Sequence, residues 1–344
     1  MFKKIFFFSL LTIIINSCTN NTIVGGGGGI TQHENYLDEP ITNTWVEKYG
    51  RLQVKDNKIV DKNGTPVQLR GMSLFWSNDG WGGEKFWNAA VVSNLVRRWN
   101  MNIIRAAMGV EKSGGYLENK NSNLQKLKTV VNAAIENGIY VIIDWHAHDI
   151  HTSEAFTFFT NIAEIYKTND NIIFEIFNEP DYETWIDIKN YATNIIKGIR
   201  DRQATQLILV GTRQWSQMVD EAADNPITGY SNIAYVLHFY AGTHKQWLRD
   251  KALYALNKGI ALFVSEWGTC NASGNGGYDP TESTLWINFM NQHKLSWCNW
   301  AFNDKNETAS ALVAGASTTG PWPDSQLTTS GKFVKQHIIS NGKP

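Results

Sequence analysis

Short apolar runs alternate with amphipathic segments of helical length through most of this chain. The apolar runs have the length of buried strands, while the longer segments repeat apolar residues at the spacing of one helix face. The clearest helical segments cover residues 84–99, 123–138 and 153–167, and Gly138 and Gly259 stand where helices should end before a strand. The eight predicted strands cover residues 67–74, 102–108, 139–145, 172–177, 207–211, 234–239, 261–267 and 295–300.

Eight strands that each lead into a helix predict an α/β fold, the (β/α)8 TIM barrel, built as a single domain. A doubly wound open sheet is the alternative, but no predicted strand leads into a glycine-rich phosphate loop. Before the first strand, residues 52–67 alternate polar and apolar positions, and Asn63-Gly64 is a type I′ turn signal. We therefore expect an N-terminal β-hairpin that plugs the bottom of the barrel.

The N-terminal segment has the pattern of export and tethering. Two lysines precede an apolar run at residues 5–15, which is too short to span a bilayer and is typical of a signal peptide. Asn16, Ser17 and Cys18 follow the run in a pattern that resembles a bacterial lipoprotein signal, so residues 1–18 are predicted as the signal and Cys18 as the lipidated residue. The glycine-rich residues 19–43 then form a flexible tether to a domain at 44–344. The predicted protein is a cell-surface or outer-membrane lipoprotein, or a secreted protein if the signal is cut elsewhere.

Composition narrows the functional classes. The chain has 344 residues, 42% of them hydrophobic and 18% charged, as expected for a globular protein with a sizeable core. A formal net charge of -1 gives no electrostatic attraction to nucleic acid or to an anionic membrane, so the membrane is reached only through the lipid anchor. Fourteen Trp and twelve Tyr supply buried area, and a surplus of them can line a groove for sugar rings. Cys270 and Cys298 fall near the outer ends of neighbouring predicted strands, and export leaves a disulfide between them open.

Polar and aromatic residues gather where the predicted strands end, which is the end of a TIM barrel that carries active sites. Carboxylic acids close the fourth strand at Glu179 and the seventh at Glu266, so the two acids are expected to face each other across the barrel mouth. The other residues at these ends are Trp76 and Trp81 after the first strand, Arg105 on the second, His146 and His148 after the third, Asn178 on the fourth, His238 and Tyr240 on the sixth, and Trp297 and Trp300 on the eighth.

Two opposed carboxylic acids suit the retaining hydrolysis of glycosides. The reaction needs an acid that protonates the leaving oxygen and an anion that attacks the sugar from the other side. We expect Arg105 and Tyr240 to keep one carboxylate ionised, while the other retains its proton in a drier position that faces a carboxylate. Asn178 is suited to hydrogen-bond the sugar 2-hydroxyl, a contact that strengthens in the transition state.

Seven short motifs, in order at these strand ends, resemble glycoside hydrolase family 5, and within it the bacterial endo-β-1,4-glucanases. The resemblance extends over about residues 45 to 340. The chain departs from many relatives after "GMS", where it reads Leu74-Phe75-Trp76 and relatives have a His. The motifs are "LRGMSLFW", "IIRAAM", "IIDWH", "NEP", "VLHFYAG", "SEWGT" and "SWCNWAFNDK".

The resemblance implies a catalytic domain that cleaves β-glucan by double displacement, as a monomer, with no cofactor and no metal. It implies Glu179 as the acid/base and Glu266 as the nucleophile. It also implies a cis peptide bond between Trp300 and Ala301. The supporting and sugar-binding residues that it implies are Arg105, His146, Asn178, His238, Tyr240, Trp300, Lys305 and Glu307, to which the groove argument adds Trp76.

Several of these residues also have ordinary structural interpretations. Glu175, inside the fourth strand, is interpreted as an ion partner that faces either the barrel interior or a helix. The pair His146 and His148 resembles a metal-ligand pair, but the further ligands of metal-dependent barrels are missing from the later strand ends. Trp76, Trp81 and Trp300 are interpreted as sugar platforms, whereas the tryptophans interpreted as packing residues are Trp87, Trp99, Trp185, Trp247 and Trp286. The histidines interpreted as surface or helix residues are His151, His244, His293 and His337.

Two alternative functions stay open on the sequence alone. The same barrel could act on mannan, xylan or mixed-linkage glucan, because loops select among polysaccharide backbones. A glycan-binding lipoprotein without catalysis could keep the aromatic groove, but it would have no use for two opposed acids.

Overall fold

The computed structural model describes residues 41–344. The predicted signal, Cys18 and nearly all of the tether lie outside the described residues and stay predictions. Ile41 packs partly buried against the main hydrophobic core, three residues before the predicted start of the domain. Between residues 41 and 344, no helix combines the length and the apolar character that crossing a membrane requires.

Eight parallel strands close into a barrel, which confirms the predicted (β/α)8 fold. Each strand pairs with the next along the chain, and β10 closes the barrel on β3. The barrel strands are buried almost throughout, because helices cover the outside of the sheet, and this is why they read as continuous apolar runs. The strands are β1 Gln53–Lys55, β2 Lys58–Val60, β3 Arg70–Leu74, β4 Ile103–Gly109, β5 Tyr140–His146, β6 Ile172–Glu175, β7 Leu207–Val210, β8 Ile233–Tyr240, β9 Leu262–Gly268 and β10 Trp297–Phe302.

The helices begin and end at residues that the sequence marks. Thr184 caps α5 in a capping box with Asp187, and Asn88 accepts a hydrogen bond from the main chain of α2. Gly138 and Gly259 have positive φ just past α3 and α8, as predicted. The helices are α1 Trp45–Tyr49, α2 Ala89–Trp99, α3 Lys120–Glu136, α4 Thr152–Tyr166, α5 Trp185–Asp201, α6 Arg213–Ser216, α7 Val219–Asp224, α8 Gln246–Asn257, α9 Pro280–His293 and α10 Thr329–Ile339, with 3-10 turns at Glu84–Phe86 and Asp324–Gln326.

An antiparallel pair, β1 and β2, precedes the barrel. Its turn is formed by Asp56 and Asn57. The predicted turn at Asn63-Gly64 is the next one along the chain, between Val60 and Pro66, which form an antiparallel bridge. Of the two turn residues, only Gly64 has a positive φ, so the predicted type I′ geometry is wrong. Leu52 and Ile59 pack with apolar side chains from the N-terminal halves of the barrel strands. The hairpin therefore covers the end of the barrel opposite the strand C-termini.

Buried aromatic residues fill the layer between the barrel and its helices. Trp286 of α9 stacks on Phe239 of β8 with ring centroids 3.9 Å apart. Trp87, Trp99 and Trp185 are buried as well, so the packing interpretation is confirmed for these four tryptophans. It is wrong for Trp247, which is 43% exposed on α8.

The two described cysteines are free thiols. Cys298 lies within β10 and packs in the apolar cluster at the N-terminal end of the barrel. Cys270 follows β9 and packs with Tyr240 and Trp300 at the other end. The prediction that both lie near the outer strand ends is wrong, because Cys298 sits inside the barrel, and no disulfide joins them.

Candidate active site

A buried arginine ties the strand ends together. Arg105, on β4, is fully buried and donates through Nε to Glu175 Oε2 at 2.8 Å and through Nη1 to Glu266 Oε2 at 2.7 Å. Its Nη2 donates to Asn178 Oδ1 at 2.7 Å and lies 2.9 Å from Asp144 Oδ2. Burial lowers the pKa of Arg105, but the carboxylates of Asp144, Glu175 and Glu266 outweigh it and raise that pKa well above its usual value. Glu175 is therefore an ion partner inside the barrel, as predicted.

Glu266, on β9, is held by two donors. Arg105 contacts Oε2, and the Tyr240 hydroxyl donates to Oε1 at 2.7 Å. Burial and the nearby Glu179 raise the pKa of Glu266 above its usual value, while His238, Arg105 and the Tyr240 hydroxyl oppose the rise. Both carboxylate oxygens are thus fixed in place, and only 4% of the residue is exposed.

Glu179 lies just past β6 between two imidazoles. His238 Nδ1 is 2.9 Å from Oε1 and His148 Nε2 is 3.3 Å from Oε2. Burial raises the pKa of Glu179, but hydrogen bonds from His148 and His238 outweigh it and lower that pKa to about 2. Burial lowers the pKa of His238, while the nearby carboxylates of Glu175, Glu179 and Glu266 outweigh it and raise that pKa to about 9.

These shifts contradict the expectation about which acid keeps a proton. In the unliganded site the carboxyl with the raised pKa is Glu266, whereas Glu179 is ionised. The reason is the histidine pair: a facing carboxylate and burial favour the protonated form of Glu179, but His148 and His238 stabilise its anion more strongly. The proton that the sequence placed on Glu179 therefore lies on the imidazole beside it.

The two acids face each other closely. One carboxylate oxygen of Glu179, one of Glu266 and a nitrogen of His238 all lie within 4.8 Å of one another. Retaining glycosidases hold their two carboxyl groups about 5–5.5 Å apart, whereas inverting enzymes need about 6.5–9.5 Å. The separation fits the retaining geometry.

The same three side chains have the spacing of metal ligands, but each is engaged within the protein. The histidine pair predicted as an alternative metal site is also divided: His146 Nδ1 contacts Asp144 Oδ2 at 2.7 Å, and His148 contacts Glu179. Burial lowers the pKa of His146 well below its usual value, so this imidazole is neutral. The contact with Asp144, which itself lies 2.9 Å from Arg105, links the His146 ring to the ion pairs around the two acids.

Aromatic rings form one wall of the site. Trp300 lies parallel to His146, with centroids 5.1 Å apart, and the Trp76 ring meets the same imidazole edge-on at 4.2 Å. Trp81 lies 5.4 Å from Trp76 and is 40% exposed. All three tryptophans interpreted as sugar platforms are brought together. The predicted cis peptide bond between Trp300 and Ala301 is confirmed.

Lys305 and Glu307 lie beyond this wall, in the segment that follows β10. Their side chains form an ion pair at 2.8 Å, and Lys305 Nζ lies 5.2 Å from the centre of the Phe75 ring. A small cavity beside Trp81 is bounded by Phe75, Trp81 and Lys305. Lys305 therefore lines this cavity beside Trp81, and the ion pair holds Glu307 next to Lys305. Trp297, which was predicted at the same strand end as Trp300, is instead fully buried at the start of β10.

Sequence reasoning missed part of the site on the other side of Glu179. A cavity of about 400 Å³ is lined there by Glu179, Trp215, Tyr240 and His244, among others. Trp215 is 46% exposed and has a positive φ, and its main chain donates to Pro180 O at 2.8 Å. His244 was predicted on the surface or on a helix, which is wrong: it is buried between β8 and α8, and its Nδ1 accepts a hydrogen bond from the main chain of Tyr240. The other three histidines of that group lie half-buried on or beside helices.

His148 is the other residue whose role was missed. Its ring stacks on Trp76, and the main-chain amides of His148 and Asp149 donate to Glu111 Oε1 at 3.0 and 2.8 Å. Glu111 thus fixes the loop that carries His148 against Glu179. The sequence signal was available in the second His of "HAHD", two residues after His146, but it was weighed only as a metal ligand.

Comparison with known proteins gives a consistent picture. The family model described as cellulase (glycosyl hydrolase family 5) matches residues 60–306. Endoglucanase Z of Dickeya dadantii is 50% identical over 303 residues, which are 87% of this chain and 68% of that protein. An endoglucanase of Clostridium saccharobutylicum is 49% identical over 299 residues, 84% of this chain and 65% of that protein. The chain thus spans about two thirds of the length of these curated relatives.

Solved structures agree with the sequence matches. A Cytophaga hutchinsonii structure has a TM-score of 0.84 at 52% identity and covers 87% of this chain and 97% of its own. The catalytic domain of Thermobifida fusca endoglucanase Cel5A in complex with cellotetraose has a TM-score of 0.80 at 32% identity, covering 85% of this chain and 98% of its own.

Proposed function

This chain belongs to the cellulase family, glycosyl hydrolase family 5, and we propose on that premise that it is a retaining endo-β-1,4-glucanase. It hydrolyses internal β-1,4-glucosidic bonds of a β-glucan. The observation that carries the proposal is the carboxyl pair, Glu179 and Glu266, with oxygens within 4.8 Å of each other at the mouth of the barrel.

The reaction proceeds in two displacements. Glu266 attacks the anomeric carbon to form a glycosyl ester while Glu179 delivers a proton to the leaving oxygen. Glu179 then accepts a proton from the water that hydrolyses the ester, and the product keeps the β configuration. Burial of Glu266 limits competing water, and the donors on both of its oxygens orient it for attack.

Asn178 contributes a donor for the sugar. Its Oδ1 accepts from Arg105, which fixes the amide orientation, and its buried Nδ2 has no hydrogen-bond partner among the described residues. A buried donor without a partner costs about 1–3 kcal/mol. A sugar 2-hydroxyl would satisfy it, most strongly in the transition state.

The groove fits an extended glucan. Trp76, Trp81 and Trp300 offer ring faces on one side of the acid pair, and Trp215 offers one on the other side. Platforms on both sides of the cleavage point support internal cleavage of a long chain. The parallel contact with His146 holds the Trp300 ring in position, and the main-chain hydrogen bond to Pro180 fixes the backbone that carries Trp215.

A substrate panel with matched variants tests this function. Wild type, Glu179→Ala and Glu266→Ala are assayed on carboxymethyl cellulose, lichenan, glucomannan and xylan, with Glu136→Ala, an exposed glutamate on α3, as the control. We expect cellulose cleavage by wild type and the control, and losses of roughly 10²–10⁴-fold or more in the two site variants. Undiminished activity of Glu266→Ala would refute the double-displacement mechanism. A preference for mannan or xylan would assign a different substrate to the same barrel. A wild type that cleaves none of the four polysaccharides would support a glycan-binding protein without catalysis.

The N-terminal predictions complete the proposal. Cys18 would be lipidated after export, so that the glycine-rich segment tethers a monomeric enzyme to the cell surface. Detergent-phase partition of wild type and Cys18→Ser separates the possibilities: an anchored protein loses membrane association in the variant, whereas a secreted one never has it.

A further inference from the structure

We propose that Ser265 and Glu175 are positioning residues that make His238 the proton store of Glu179. The proposal rests on the function assigned above and adds two residues behind the acid/base. They contact no groove surface: both are fully buried, beneath His238. Three strands supply the chain of contacts, with Glu175 from β6, His238 from β8 and Ser265 from β9.

The contacts form a continuous chain from Glu175 to Glu179. Glu175 Oε1 lies 2.6 Å from Ser265 Oγ, Ser265 Oγ lies 2.9 Å from His238 Nε2, and His238 Nδ1 lies 2.9 Å from Glu179 Oε1. The pairing of β8 with β9 shifts register between Val236 and His238, and the shift sets His238 opposite Glu266. Ser265 therefore lies one position before the residue that pairs with His238, and its hydroxyl still reaches the imidazole.

The hydrogens in this chain of contacts can be assigned by counting donors. Glu175 is held ionised by Arg105, so it only accepts, and the single hydroxyl hydrogen of Ser265 points to it. Ser265 Oγ must then accept from His238, which places a hydrogen on Nε2. Because Nε2 keeps that hydrogen, Nδ1 is the nitrogen that gains and loses a proton, and Nδ1 is the one that faces Glu179.

The proton balance of the reaction follows from this assignment. Before reaction the Glu179–His238 pair holds one mobile proton, on Nδ1 in the unliganded site. In the first displacement that proton passes through Glu179 to the leaving oxygen, which leaves a carboxylate and a neutral imidazole protonated on Nε2. In the second displacement the attacking water returns one proton to the pair. No other donor or acceptor is needed.

Other titratable groups also face His238. Glu266 of β9 lies on its groove side, His146 and His148 approach from the β5 end, and Arg105 of β4 neutralises Glu175 from behind. Ser265→Ala leaves all of them in place and removes only the hydroxyl bridge. The direct gap from His238 Nε2 to Glu175 Oε1 is 3.7 Å, too long for a hydrogen bond.

The test is the pH dependence of kcat and KM in Ser265→Ala. A hydrogen bond to a charged group is lost, which makes imidazolium less stable, so the alkaline limb of kcat/KM should move to lower pH by about one to two units. KM should stay within about twofold of wild type, because Ser265 touches no sugar. Ser265→Thr, which keeps a hydroxyl, should restore the limb, and Ser283→Ala, a buried serine on α9, is the matched control. An unchanged alkaline limb in a folded Ser265→Ala would overturn the proposal.

A second measurement needs no variant. Nitrogen-15 spectra of His238 in the wild-type enzyme, followed through the alkaline limb, should show that the neutral ring keeps its hydrogen on Nε2. A neutral ring protonated on Nδ1 would refute the relay. Neither result bears on the catalytic pair itself, since the function proposed above fails only if Glu179→Ala or Glu266→Ala remains fully active.

Discussion

Tyr240→Phe isolates one hydrogen bond to the nucleophile. The phenol donates to Glu266 Oε1 at 2.7 Å, and Glu266 is 4% exposed, so water cannot replace the missing donor. A hydrogen bond to a charged group contributes about 1.5–3 kcal/mol. At 1.36 kcal/mol per pKa unit, its loss should raise the pKa of Glu266 by about one to two units.

The sign of the effect on activity follows from the role of Glu266. The nucleophile must be ionised, and its pKa is already raised by burial and by Glu179. As pH falls through that pKa the carboxylate is protonated and activity is lost, so a further rise moves the acid limb of kcat/KM to higher pH by about one to two units. The alkaline limb, which depends on His238 with a pKa of about 9, should stay in place.

The assay is a pH profile of kcat/KM on carboxymethyl cellulose. Tyr235→Phe is the matched control, since that phenol lies on the same strand and accepts a hydrogen bond from the main chain of Ile227 at 2.7 Å, away from the acids. An acid limb that does not move in Tyr240→Phe would refute the reasoning. So would an equal shift in Tyr235→Phe, because the effect would then come from the strand and not from Glu266.

Three further predictions concern binding and stability. Trp215→Ala should raise KM for soluble cellulose about three- to tenfold with little change in kcat, because a sugar platform is lost, and an unchanged KM would contradict the platform. Gly71→Ala should lower the free energy of unfolding by about 3 kcal/mol or more in urea titration, because its Cβ would lie 1.7 Å from Ile103 O on the neighbouring strand; a loss below about 1 kcal/mol would contradict this packing. Cys270 and Cys298 should be labelled by a thiol reagent only after unfolding, and a reductant should not change the melting temperature, as mass mapping and calorimetry would show.

The sequence predicted the barrel because its strands are buried on both faces. β8 and β9 appear as apolar runs that end in polar residues, and those residues are the ones that converge. The predicted strand boundaries were less accurate where one stretch of sequence contributes to two secondary-structure elements. The predicted first strand began at residue 67, but Val67 donates to Ile59 O in the preceding hairpin, so β3 begins at Arg70. The two residues pair across the Asn63-Gly64 turn, and the apolar pattern does not mark where this pairing ends and β3 begins.

The active-site residues also fall into a group that the sequence predicts and a group that it does not. Residues on strand ends were predictable, since the barrel brings all strand ends together. His244 and Trp215 were not, because they lie in loops whose path is set by contacts such as the one from Trp215 N to Pro180 O. The ionised state of Glu179 could not be predicted from the sequence either, since it depends on how closely two imidazoles from other strands approach the carboxyl group.

The charges around Arg105 show why the buried site tolerates the reaction. Arg105 forms ion pairs with Asp144 and Glu175, and none of these three side chains gains or loses a proton in either displacement. What remains is the charge of Glu266 and of the pair formed by Glu179 and His238. When Glu266 becomes an ester it loses one negative charge, and the pair, having given its proton to the leaving oxygen, gains one. The total is unchanged through the first displacement, and hydrolysis reverses both changes. A cluster of fixed total charge needs no rearrangement of its buried surroundings, which is the condition under which preorganised dipoles stabilise a transition state most effectively.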